Sequence, residues 1–252
     1  MNGVDRATLL GCLDELLEPQ LYQDYCPNGL QVAGRRQIRR VVTGVTACEA
    51  LIDAGIEREA DALLVHHGYF WKNEDPRIVG IKERRLRKLL VHGINLIAYH
   101  LPLDGHAEVG NNAQLCLRLG IENTGRFGPQ SIAFQGRLGE AMTAERFAQR
   151  VATVLERPPL MVGEPDRLIE TVGICSGGAQ GYVDDAAELG LDLYLSGEIS
   201  EQTTHSAREN GLVYLAAGHH ATERFGVQAL GERLAADFDE LMVEFVEIAN
   251  PA

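Results

Sequence analysis

An α/β fold made of duplicated βαβαβ units, forming two interlinked α/β domains, is what this sequence predicts, and three observations predict it. First, in ADALLVHHG the apolar run Ala62–Val65 passes straight into two imidazoles and a glycine. Such a run reads as a buried parallel strand that delivers polar side chains at its C-terminal end. Second, RRVVTGVTACEALIDAGIEREADALLVHHG has the order strand, small-residue turn, helix, apolar strand, polar strand end. That order returns in ETVGICSGGAQGYVDDAAELGLDLYLSGEIS, roughly 130 positions later. Third, both halves close on His-x-x-x-carboxylate, as His100…Asp104 and His219…Glu223. Right-handed crossovers place strand ends of this kind on one edge of a sheet, where α/β proteins bind their ligands.

Taken in order, Asp5 or Thr8 caps a first amphipathic helix through about Leu17, with Leu9, Leu10, Leu13, Leu16 and Leu17 on one face. Pro19 ends it, and turn chemistry at Pro27, Asn28 and Gly29 precedes a short strand, Leu30 to Val32. A strand from about Val41 to Thr46 and the helix ACEALIDAGIEREA lead to the histidine strand. IKERRLRKLLVHG is a basic helix ending at Gly93, and INLIAYHLPLD is a buried strand ending in His100 and Asp104. Residues 105–125 read as a loop and a helix, NNAQLCLRLG, which stops at Gly120. SIAFQGRLG and PLMVG are strands around a helix that Thr143 caps. EQTTHSARENGLVYLAAGHHATE repeats helix, glycine, strand and acid ending, and TERFGVQALGERLAADF is the next helix. DELMVEFVEI is a last strand, antiparallel at an edge. The expected organisation is a first half over 1–124, an intervening subdomain or lid over 125–170, and a second half over 171–252 packing against the first.

Composition narrows the function class. The chain has 252 residues, 45% hydrophobic and 23% charged, which suits a globular protein with a sizeable core. Its net charge of −13 disfavours nucleic acid and anionic membrane surfaces as partners. Five cysteines without CxxC spacing read as reduced thiols. MNGVDRATLL lacks a basic and apolar signal region, and no apolar run reaches membrane length, so a cytoplasmic location is expected.

The candidate chemistry lies in seven side chains: His66, His67, His100, Asp104, His219, His220 and Glu223. Imidazoles mixed with carboxylates suit Zn, Fe or Mn, whereas Mg and Ca sites are built from oxygen. Adjacent histidines on an extended strand point to opposite sides, so His66 and His67 could serve two neighbouring cations, one each. If HATER opens a helix, His219 and Glu223 lie one turn apart and face one ion, and Glu223 could bridge two. A lone histidine is more often a packed core residue than a ligand; the clustering at three strand ends argues for a metal site. His92, His106 and His205 lack that placement and read as surface or helix residues. KERRLRK reads as a solvated helix face. CSGGAQG has the small residues of an anion nest but matches no nucleotide motif, and Cys175 beside it carries no nucleophile signature. Tyr69, Phe70 and Trp71 read as interface or core.

The segments DYCPNGLQV, VVTGVTA, VHHGYFW, YHLPLD, GNNAQL, SGEISEQTTHSAREN and AGHHATERFG together resemble the Nif-three-like dinuclear metal-centre hexameric family, whose members are often labelled GTP cyclohydrolase one type two homologues. The likeness runs along nearly the whole chain and is thinnest over about 125–170. It implies a toroidal homohexamer of two-part α/β subunits with two divalent cations per subunit. By motif it implies His66, His67, Asp104, His219 and Glu223 as the metal ligands. His100 and His220 then fit as groups that orient ligands or relay protons, the catalytic candidates. The implied activity is metal-dependent hydrolysis of a small molecule, with nucleotides such as GTP leading. The rival reading is a non-catalytic ring that stores or delivers metal or acts as an adaptor.

Overall fold

In the computed structural model, which describes residues 3–252, a short strand, β1 (Val4–Asp5), leads into helix α1 (Arg6–Leu17). The Asp5 carboxylate accepts from the Ala7 N–H at 2.9 Å and caps the helix. Leu9, Leu13 and Leu17, four residues apart, are the buried ones; each contributes about 2 kcal/mol on burial. Strands β2 (Gly29–Val32), β3 (Gln37–Ile38) and β4 (Arg40–Thr46) follow, and β3 pairs antiparallel with β1. Then helix and strand alternate: α2 (Glu49–Glu57), β5 (Ala62–His67), α3 (Gly80–His92) and β6 (Asn95–Ala98). Strands β4, β5 and β6 are parallel neighbours, with Val41 opposite Ala62 and Ala62 opposite Asn95. Strand β5 is buried from Ala62 to His66, as a strand covered on both faces requires. Gly93 closes α3 in the left-handed conformation at φ 63°.

Asp104 is not on a strand end, as its sequence context suggested. It lies on a one-turn helix, α4 (Leu101–Gly105), that begins just after His100. Pro102 is tolerated there because the first turn of a helix leaves its N–H groups unpaired in any case.

The chain divides into two units, one up to Leu103 plus Val227–Ala249, the other Asp104–Gly226 plus Asn250–Ala252. The second contains α5 (Asn111–Leu119), β7 (Ile121–Phe127), β8 (Ala133–Thr143), α6 (Ala144–Leu155), β9 (Leu160–Val162), β10 (Leu168–Cys175), α7 (Val183–Glu188), β11 (Leu193–Ser196), α8 (Glu201–Glu209) and β12 (Val213–Ala216). Its six-stranded sheet has the order β7-β8-β10-β11-β12-β9. The central three, β10, β11 and β12, run parallel, and the flanking pairs are antiparallel. Strand β7 went unseen in the sequence because only its ends, Ile121 and Phe127, are buried, so no apolar alternation marks it. Thr143 caps α6 as expected, its hydroxyl accepting from the Arg146 N–H. Phe147, Val151 and Leu155 form the buried stripe of that helix.

After β12 come a one-turn helix, α9 (His219–Thr222), the longer α10 (Arg224–Asp237) and a last strand, β13 (Met242–Phe245). Strand β13 returns to the first unit and completes the order β13-β4-β5-β6-β2. It is an edge strand, but it pairs parallel to β4, not antiparallel, with Val243 opposite Val41. No hairpin turn joins β13 to β4, which lies about 200 residues earlier in the chain, so no tight connection imposes the antiparallel direction. Each unit has its own core, around Leu63, Val65 and Leu96 in the first and Phe134, Ile174 and Leu195 in the second. Among the described residues no helix is long and apolar enough to cross a membrane.

Candidate metal centre

In the first unit the sheet register builds an imidazole cluster. Thr46 at the end of β4 is opposite His67 at the end of β5, and its hydroxyl meets His67 Nδ1 at 3.2 Å. Strand β6 runs beside β5 and continues into Tyr99 and His100. The Tyr99 carbonyl oxygen is 3.0 Å from His66 Nδ1. His100 Nδ1 is 2.7 Å from Asp24 Oδ1. The rings of His66, His67 and His100 have centroids 4.4, 5.1 and 5.6 Å apart, pair by pair, and each offers a ligand nitrogen within 4.8 Å of the others. His66 is fully buried, and His67 and His100 are half-buried. Trp71 stands edge-on to His100 at 5.0 Å, while Tyr69 turns into the core and donates to the Ala47 carbonyl.

In the second unit the ends of the three parallel strands again supply the polar groups. Ser176 and Gly177 follow β10, Gly197 and Glu198 follow β11, and Gly218 and His219 follow β12. His219 Nδ1 is 2.8 Å from Glu198 Oε1, and its Nε2 is 3.3 Å from Glu223 Oε1. Glu223 is buried and sits at a break between α9 and α10, with φ −111° and ψ 5°. The buried Asp104 carboxylate accepts from Asn111 Nδ2 at 2.8 Å and from the Ser176 hydroxyl at 3.0 Å. Next to Ser176, Gly177 lies so close to Glu223 that an added Cβ would stand 2.1 Å from Oε1. Asp104, Ser176, Gly177, Glu223 and His219 thus form one contiguous set.

Several of these partners carry no local signature. Asp24 is 76 residues from His100, and besides the ring it accepts from the Leu101 and Tyr25 N–H groups and from Asn28. Burial acts to raise its pKa, but the hydrogen bonds from His100 and Asn28 outweigh that, and the carboxyl is held below its usual value. Glu198, Thr46, Asn111 and Ser176 were also missed; the SGEIS and CSGGAQG segments that contain two of them were the available signals. His220 is buried on α9, its N–H donating to the Ala252 carbonyl at 3.2 Å. His92 and His205 are exposed helix residues, and His106 Nδ1 accepts from the Glu108 and Val109 N–H groups. The Cys175 thiol is pushed well above its usual range by burial, with Asp104 adding to the effect, so it is no nucleophile. Cys26 stands beside Asp24 and His100, but burial and Asp24 push its thiol up to about 12, which keeps it protonated. The basic helix α3 is a solvated face, with Lys82, Arg84, Arg87 and Lys88 paired to Glu74, Glu49, Glu83 and Asp53.

The profile of the Duf34/NIF3 (NGG1p interacting factor 3) family matches residues 4–251. The chain belongs to that family. A Vibrio cholerae relative named "GTP cyclohydrolase 1 type 2 homolog" is 56% identical over 257 residues, covering 100% of both chains. A solved structure titled "Structural genomics, protein ybgI, unknown function" superposes with a TM-score of 0.95 at 46% identity, covering 99% of this chain and 100% of that one. The crystal structure of a Thermus thermophilus protein follows at a TM-score of 0.89 and 37% identity, with coverage of 99% and 100%. The mixed α/β architecture, with parallel and antiparallel strands, is that of the solved NIF3 relatives.

The donor set fits a transition-metal cation. In His66, His67, His100 and His219 alike, Nδ1 lies against a protein group, which helps to set the orientation of the ring. That is the pattern in which a second partner orients a metal-ligating imidazole. With carboxylates in the second unit, several groups in this chain could hold a metal of the Zn, Fe or Mn kind.

Proposed function

We propose that this NIF3-family protein is a hydrolase dependent on two divalent cations and acts on a nucleotide. The observation that carries the reading is the engagement of Nδ1 in four separate imidazoles, each by a different partner. A partner on one ring nitrogen is how a metal-ligating imidazole is usually oriented; His66, His67 and His219 are proposed as ligands, and His100 is held in the same way as the proton carrier. His66, His67, Asp104, His219 and Glu223 are the proposed ligands. The two units correspond on this reading to duplicated βαβαβ units, and six subunits assemble as a toroid. Bound together, two cations supply Lewis acidity and a nucleophilic water at neutral pH. His100, backed by Asp24, is placed to hold or move a proton through Nε2, with His220 the alternative. Ser176 and Asn111 keep Asp104 oriented, and Trp71 shields the imidazole cluster from water.

The name carried by the relatives supports a purine nucleotide as substrate, attacked at a ring carbon or at a phosphoester. The test is to purify the protein with defined metal, count the bound ions, and screen nucleotides and phosphoesters. Turnover in the wild type no higher than in a His66→Ala, Glu223→Ala double variant refutes the enzyme reading. Metal that passes readily to an acceptor protein without turnover would favour a metal-delivering ring.

A further inference from the structure

Within the second unit, His219 also borders a cavity of about 330 Å³. Its walls are Leu160, Ile199 and Ala216, with Glu198 and His219 on one side and Arg157 on another. The volume is at the small end of the range for ligand sites, about 300–1,000 Å³, enough for one small metabolite. Two of the motifs noted in the sequence, SGEIS and AGHH, meet here.

Arg157 supplies the positive charge of this groove. Among the described residues Arg157 donates to the Pro251 carbonyl and has no carboxylate in ion-pair range. Its guanidinium lies flat over Gly218, where an added Cβ would stand 2.8 Å from Nη1. Gly218 has φ +98° and immediately precedes His219. The lack of a side chain at Gly218 is what lets the cation lie one residue from the candidate metal ligand. The cavity's acid, Glu198, is already committed, with Oε1 on His219 and Oε2 on Gln180. A guanidinium with no carboxylate in ion-pair range, beside the apolar side chains of an open groove, is suited to an anionic ligand with an uncharged body.

We propose that this cavity seats the substrate, and that Arg157 holds its phosphate. The proposal rests on the nucleotide-hydrolase reading above and adds to it the residue that binds the phosphate and the size of ligand the groove takes, about that of a mononucleotide. The forked donors of a guanidinium match phosphate oxygens in pairs, which a lysine cannot reproduce. Leu160, Ile199 and Ala216 then face the uncharged part, and His219 meets the reacting end.

The experiment measures binding of guanosine monophosphate, guanosine and inorganic phosphate to the metal-loaded wild type, Arg157→Gln and Arg157→Lys, by calorimetry, with metal content determined separately. The wild type is expected to bind the monophosphate at least tenfold more tightly than guanosine. Arg157→Gln should lose that advantage while keeping its metal and its melting temperature, and Arg157→Lys should recover part of it. Equal monophosphate affinity in wild type and Arg157→Gln overturns the proposal, as does failure of the wild type to bind either phosphate-bearing probe. Wild type that holds no metal yet discriminates phosphate through Arg157 would overturn the metal-hydrolase reading and leave this subsite standing.

Discussion

His219 Nε2 lies 3.3 Å from Glu223 Oε1, one helical turn on, while the same ring's Nδ1 lies 2.8 Å from Glu198 Oε1. An imidazole held between two carboxylates is stabilised as the cation. The hydrogen bond with Glu223 is the main cause, burial opposes it, and Glu198 adds to it; the result is a pKa pushed up to about 9. The metal-free protein therefore carries His219 protonated at neutral pH.

The raised pKa makes metal-free stability depend on pH. The interaction contributes fully below the unfolded value of 6.5 and is lost as pH rises through about 9. Urea midpoints of metal-free protein are expected to fall over that window, and Glu223→Gln should flatten the fall. A cation must displace the same proton, so apparent metal affinity should climb with pH up to about 9, with proton release on binding measurable in buffers of different ionisation enthalpy. A flat metal-affinity profile across this window would contradict His219 as a ligand.

Gly177 is expected to tolerate no side chain. Its φ is +64°, and a Cβ would stand 2.1 Å from Glu223 Oε1 and 3.1 Å from His219 Nε2. Gly177→Ala costs about 1–2 kcal/mol from the left-handed backbone alone, which a folded domain survives. The larger effect should be on the displaced carboxylate. Elemental analysis is expected to show reduced metal content in a variant whose far-ultraviolet circular dichroism is unchanged. Normal metal content would mean that Glu223 does not hold a cation.

What could be read from the sequence was what local patterning encodes. The histidine strand was legible because a central parallel strand is apolar on both faces, so Ala62–Val65 ran unbroken into His66 and His67. The four-residue spacing of His219 and Glu223 was legible because it is one helical turn, and Thr143 and Gly93 were legible as caps. Asp24 and Glu198 were not, because each meets its histidine through tertiary packing, 76 and 21 residues away in the chain. Strand β7 hid behind a polar middle. Asp104 was misplaced by one element because a five-residue helix starting with Leu-Pro looks like the end of the strand before it.

Asn95 is a test of the fold apart from the chemistry. It is fully buried at the start of β6 and uses its whole amide. Its Oδ1 accepts from the Gly34 N–H at 2.8 Å and from Arg6 at 3.2 Å, and its Nδ2 donates to the Arg35 and Asp61 carbonyls at 2.8 and 2.9 Å. Asn95→Leu leaves these groups without their partner, at a cost of about 3 kcal/mol. Denaturant unfolding should show that loss, while metal content per folded molecule stays at the wild-type level.

Asp24→Asn separates the orienting role from the ligands themselves. The substitution keeps the shape and, with its carbonyl in the Oδ2 position, the acceptor for the Leu101 N–H and the Asn28 amide, but it sets an NH2 against the Tyr25 N–H and removes the negative charge 2.7 Å from His100 Nδ1. If His100 moves a proton through Nε2, the carboxylate stabilises the imidazolium that forms, and its loss is felt in turnover. A drop of about 10–100-fold in activity is expected, with metal content unchanged. Unchanged turnover would remove His100 from the proton path and leave Asp24 as a structural turn residue bonded to Asn28 and Leu101.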